Sequence, residues 1–143
     1  MLAEDIRFGE ALAVRRLGGG GKGARGVRVL IAYEDTHRVY AEAMRHALRG
    51  LRPDVEVVVC GIDELGAGVE GFDPDLVVSS RPNTVEPGKR TAWYALSPEP
   101  DEPSEVCVGG RRGEVENPGM EGLLSVFDET EELVRTGRGL GGC

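Results

Sequence analysis

The stretch Val27 to Tyr33, VRVLIAY, is apolar at every position except Arg28. A strand with one wet face alternates polar and apolar residues, whereas a nearly continuous apolar run is buried on both faces and belongs to a parallel sheet. Two more such runs follow, VEVVVC from Val55 to Cys60 and LVVSS from Leu76 to Ser80. Between the first two, Val39, Ala43, Met44, Ala47, Leu48 and Leu51 recur at helical spacing; Asp35 or Thr36 can cap the start, and Gly50 and Pro53 mark the end. A shorter, glycine-interrupted segment with Ile62, Leu65 and Val69 leads to the third run. Strands alternating with helical connections predict an α/β fold built on a single doubly wound sheet with right-handed crossovers.

AWYAL (Ala92 to Leu96) and EVCV (Glu105 to Val108) bring the expected strands to five, but their connections are different in kind. Arg81 to Thr91 holds two prolines and a glycine, and SPEPDEPS holds three prolines, which rule out a helix interior. The helices between strands 3 and 4 and between strands 4 and 5 are therefore expected to be shortened or missing. That would leave one sheet face partly bare, and bare apolar surface becomes a partner interface. Trp93 and Tyr94, being adjacent on a strand, must point to opposite faces. A last helix is marked by Asn117 and Pro118 as cap and first-turn pair and by Met120, Leu123, Leu124, Phe127 and Val134 on one face, ending near Arg135. The domain is thus expected over 27–135. Residues 1–26 form an extension with a weakly amphipathic stretch, Ala3 to Leu17, and a flexible glycine linker, and 136–143 form a disordered tail.

Totals exclude several classes. A net charge of -8 over 143 residues gives no basic face for phosphate contacts, so no nucleic-acid partner is expected. No apolar run approaches the roughly 20 residues that span a bilayer, and the acids near the N-terminus do not suit a signal peptide, so a cytoplasmic protein without membrane contact is expected. Cys60, Cys107 and Cys143 lack C-x-x-C spacing and are odd in number, which predicts neither a disulfide framework nor a zinc site. Gly18, Gly20 and Gly23 fit G-x-G-x-x-G, but they precede a strand instead of following one, and Lys22 is followed by glycine, unlike a P-loop. His37 and His46 are nine residues apart, on opposite sides of their helix, and cannot share a metal.

VLIAYED, ending in an acidic pair, and PDLVVSS, with Pro74-Asp75 leading into a strand, make Arg28 to Arg135 resemble the response-regulator receiver family, which is CheY-like and flavodoxin-like in fold. The resemblance implies five parallel strands in the order 2-1-3-4-5. It also implies roles that can be carried over singly. Glu34 and Asp35 match the pair that holds Mg²⁺, a cation that takes hard oxygen ligands. Ser80 stands where the family has its phosphate-accepting aspartate, and a serine hydroxyl without an adjacent base is a poor nucleophile. Ser97 matches the hydroxyl residue after the fourth strand. The family lysine falls at Gly109 or Gly110, with only Arg111 or Arg112 nearby, and the switching aromatic falls on Val106.

The expected function is accordingly a non-enzymatic, phosphorylation-independent receiver-like domain that regulates by protein contact, its partner another protein or a second copy of the chain. No cofactor is expected beyond weak Mg²⁺ at Glu34 and Asp35. The alternative is a small-ligand, anion or divalent-metal binding flavodoxin-like module, with Ser79, Ser80, Arg81, Asn83 and Ser97 as its ligand or switch region. A metal-assisted hydrolase lacks both a general base and a three-ligand site.

Overall fold

The computed structural model describes residues 26–80, 90–99, 102–116, 119–137 and 142–143. The fold is mixed α/β, with one six-stranded sheet and three α-helices among the described residues. Strand β1 (Arg28–Tyr33) is buried along its whole length, as its apolar run requires, and pairs in parallel with β2 (Glu56–Gly61) on one side and β3 (Leu76–Ser79) on the other. β4 (Ala92–Ala95) adds to β3, also in parallel. To this point the order is β2-β1-β3-β4, as expected.

The far half corrects the five-stranded parallel sheet. β5 (Ser104–Val108) runs antiparallel to β4, and a sixth strand, β6 (Arg111–Val115), runs antiparallel to β5. The proline-rich segment after β4 is therefore a hairpin loop and not a crossover that has lost its helix. Gly109 and Gly110 close the second hairpin with φ of 58° and 90°, left-handed conformations that fit a two-residue turn between strands. β6 is exposed and charged, features that protect a sheet edge from pairing with other chains.

Helix α1 (Arg38–Leu51) begins after a 3-10 turn, Asp35–His37, and no side-chain cap holds its start, so neither Asp35 nor Thr36 serves as the expected cap. It buries Ala41, Met44 and Leu48, while Val39 and Leu51 are 85% and 50% exposed. α2 (Leu65–Phe72) ends on Asp73, held at φ 52° and followed by Pro74, which cannot continue a helix. α3 (Met120–Thr136) starts from Gly119; the expected Asn117-Pro118 pair lies outside the described residues, as does most of the 1–26 extension.

Two cores result. One sheet face, with Val29, Ile31, Val78, Tyr94 and Leu96, packs under α1 and α3. The other, with Leu30, Val77, Trp93 and Cys107, packs under α2 and the chain end. Each fully buried aliphatic side chain contributes about 1.5–3 kcal/mol. Trp93 and Tyr94 do face opposite ways, but Trp93 is 3% exposed, so the bare sheet face expected beside β4 is covered. Part of the cover is Cys143, bonded to Cys107, a disulfide the odd cysteine count did not predict. Gly142 and Cys143 are seated against the sheet, the Cys143 N–H donating to the Arg90 carbonyl at 2.8 Å. Among the described residues no helix is long and apolar enough to cross a membrane.

Candidate functional site

Strands β1, β3 and β4 end together at one edge of the sheet, the edge at which doubly wound folds receive ligands. Glu34 and Asp35 follow β1 there. Asp35 is exposed, and the Glu34 carboxylate lies 4.0 Å from His37 Nδ1. Among the described residues no three His, Cys, Asp or Glu side chains are placed to hold a metal ion. The local oxygen donors are the adjacent carboxylates of Glu34 and Asp35 and the hydroxyl of Ser80.

The serines divide among different tasks. Ser79, fully buried, accepts a hydrogen bond of 3.2 Å from Trp93 Nε1 and so belongs to the core under α2. The Ser80 backbone N–H donates to the Ala32 carbonyl at 3.3 Å, while its hydroxyl is buried without a partner among the described residues. Ser97 is built into the β4–β5 loop: its N–H donates to Ser104 Oγ at 2.9 Å and its hydroxyl donates to Glu102 Oε1 at 2.8 Å. Arg81 and Asn83 lie outside the described residues. The expected ring of polar groups around the strand ends is therefore not assembled by the residues that are described.

What the same edge does hold is an apolar groove of about 360 Å³ between α1 and α3. Tyr40, Ala43, Met44 and Ala47 form one wall, Gly119, Met120 and Leu123 the other, and Leu96 the floor. The space exists because Ala43, Ala47 and Gly119 carry little or no side chain where the two helices face each other. Leu96 is fixed from below, since the Tyr33 hydroxyl donates to its carbonyl at 2.5 Å. Tyr40 meets the Tyr33 ring edge to face at 5.5 Å. Farther along the same two helices, Arg52 and Asp128 are paired at 2.8 Å.

Among the described residues no charged side chain lines the groove. Burial pushes the phenols of Tyr33, Tyr40 and Tyr94 up, so all three are neutral hydrogen-bonding groups at physiological pH. The Tyr94 hydroxyl ends beside Gly122 in the first turns of α3, where a Cβ would come within 3.2 Å of it, and has no partner among the described residues. Chemically the groove suits an uncharged, largely apolar group. Helical spacing singles out most of its wall residues, Ala43, Met44, Ala47, Met120 and Leu123, but as packing positions; that the helices stand apart has no local sequence signal.

Comparison with protein-family models, with curated proteins and with solved structures finds no match to this chain.

Proposed function

We propose that this chain is a non-catalytic binding module of receiver-like build whose groove between α1 and α3 holds a small, uncharged, apolar or aromatic molecule. The groove carries the reading: its volume of about 360 Å³ falls in the range of small-molecule sites, and its lining is apolar with tyrosine at the rim. Its position at the carboxyl edge of the parallel strands is the general ligand position of such folds. An anion or divalent metal suits this lining poorly, because nothing among its described residues offers an opposite charge.

A second reading, regulation by protein contact without phosphorylation, draws support from Val39. This side chain is 85% exposed and stands one helical turn from Ala43 on the groove's rim, where a partner's apolar side chain, or a second copy of this chain, could cover both. Neither reading routes chemistry through Ser80.

The two are separated by titrating the isotope-labelled chain with phenol, indole and short aliphatic alcohols and following its amide resonances. The small-ligand reading expects Tyr40, Met44, Leu96 and Met120 to shift together and the melting temperature to rise with ligand concentration. Silence of those four amides across the panel, with concentration-dependent self-association or protein capture through Val39, would leave only the contact reading. Incubation with Mg²⁺ and a small acyl phosphate is expected to leave the chain unmodified under either; stable phosphate on any residue overturns the phosphorylation-independent assignment.

A further inference from the structure

We infer that the segment Gly142–Cys143 is a redox-released latch, bolted to β5 by the Cys107–Cys143 disulfide and freed by a dithiol reductant. The latch sits on the opposite sheet face from the groove and does not depend on the function proposed for it.

The segment is seated by several contacts that match one another. Cys107 and Cys143, 36 residues apart in sequence, have Cα atoms 6.0 Å apart, within ordinary disulfide geometry. The Cys143 backbone N–H donates to the Arg90 carbonyl at 2.8 Å, and the Gly110 N–H donates to Cys143 Sγ at 3.4 Å. Cys143 is 2% exposed and packs with Trp93. Gly142 lies directly on the Gly109–Gly110 turn, where a Cβ would stand 2.7 Å from Gly110 N and 2.9 Å from the Gly109 carbonyl carbon. Only glycine fits there, so the tail and the turn are shaped to each other.

Both cysteines are buried, and the cavity of about 60 Å³ beside the bond, lined by Trp93, Glu105, Cys107, Arg112 and Cys143 among others, is too small for a dithiol, so exchange proceeds through local opening of this segment. Arg112 stands opposite Cys107 in the β5–β6 register, hence on the same face. Its permanent positive charge favours a thiolate on Cys107, which makes that sulfur the better leaving group. Glu105 and Glu114 share this face and temper the effect, being opposite one another across the same strand pair. Cys60, in contrast, is pushed up to about 12 by burial and by Glu64, and takes no part.

The reaction balances with one equivalent of dithiol. A reductant thiolate attacks Cys143 Sγ, the Sγ–Sγ bond breaks, and Cys107 leaves as a thiolate that takes a proton. The reductant's second thiol then displaces Cys143 from the mixed disulfide, so the protein gains two electrons and two protons and the reductant becomes a disulfide. Without the bond, Gly142 and Cys143 lose their covalent tie to β5, and Trp93 loses part of its cover.

Trp93 is the one tryptophan in the chain and lies directly opposite Cys107 across β4 and β5, so its emission reads the latch. The full chain is purified in air, its thiols are counted after denaturation, and emission and amide hydrogen exchange are followed in the folded state with and without dithiothreitol. One thiol per chain, Cys60, is expected before reduction and all three cysteines after it. Reduction should raise Trp93 emission, move it to the red and speed exchange of the Cys143 amide, which donates to the Arg90 carbonyl. Gly142→Ala keeps every cysteine and should remain reduced at a glutathione ratio that oxidises the wild type. Three thiols in the air-oxidised protein overturn the latch, as does a bond that resists dithiothreitol while the chain is folded. A bond that opens with no change in emission or in exchange at Cys143 overturns it as well, since the segment would then be a static staple.

Discussion

Arg52 and Asp128, 76 residues apart in sequence, share two parallel hydrogen bonds, Nε to Oδ1 at 2.9 Å and Nη2 to Oδ2 at 2.8 Å. The pair joins the end of α1 to the middle of α3. Its geometry is the bidentate fork that makes an arginine–carboxylate pair more than a contact of charges. The hydrogen bond from Arg52 holds the Asp128 carboxyl below its ordinary value.

A depressed carboxyl pKa fixes the direction of a pH effect. Asp128 contributes stability above its unfolded pKa, about 3.9, and that contribution disappears as the pH falls through the lower value of the folded state. Asp128→Asn should therefore be less stable than the wild type by a constant margin near neutral pH, and the two urea midpoints should converge in acid. The margin should be small, because the pair is largely exposed. A margin that persists unchanged to about pH 2 would assign it to packing instead of charge.

Ala47 tests the groove by filling it. The position lines the cavity and is half-buried, so phenylalanine can enter the space without displacing a packed neighbour. Ala47→Phe is expected to change the stability by no more than about 0.5 kcal/mol. It should also weaken binding of any ligand found by titration about tenfold or more, about 1.4 kcal/mol. Isothermal calorimetry beside a urea melt measures both. Unaltered affinity in a folded variant places the ligand elsewhere.

How far the sequence prescribes this structure can be argued from three places. β1 is legible because residues buried on both faces leave a continuous apolar run, here too short for a buried helix and rich in β-branched residues. β6 is not, because an exposed edge strand reading RRGEV has no apolar alternation to find; its one sign is Gly109-Gly110, two glycines between extended segments. The direction of β5 is equally hidden, since EVCV has the same composition whether it runs up or down the sheet. Of the site, Glu34, Ser79, Ser80 and Ser97 are placed near strand ends as expected, yet hydrogen bonding takes Ser79 to Trp93 and Ser97 to the hairpin loop. The Cys107–Cys143 pairing depends on where the chain end docks, which no spacing rule supplies.

Asp75 locks two strands at the opposite edge. Its Oδ2 accepts from the Arg28 N–H at 2.9 Å, while its own N–H donates to the Arg28 carbonyl at 2.8 Å, so the starts of β1 and β3 are bonded both ways. Asp75→Ala strands a buried backbone donor and should cost about 1–3 kcal/mol. Hydrogen exchange gives a sharper reading than a melt: the Arg28 amide should lose protection beyond the change in global stability. Equal loss at all β1 amides would mean that the whole sheet has weakened and that the side-chain bond is not the cause.

Tyr33 and Tyr94 pose a matched pair of tests, since both are buried in the same core and each can lose only its hydroxyl. The Tyr33 hydroxyl donates to the Leu96 carbonyl beneath the groove, so Tyr33→Phe leaves that carbonyl unpaired and should cost about 1–3 kcal/mol. The Tyr94 hydroxyl is buried with no partner among the described residues, beside Gly122, and its desolvation is uncompensated there. Tyr94→Phe should consequently be neutral or stabilising, because removing a buried polar atom that makes no bond recovers its desolvation cost. Urea unfolding of the two variants at equal m-value decides it. Two losses of the same size would mean that Tyr94 has a hydrogen-bonding partner in solution, with a bound water beside Gly122 the first to look for.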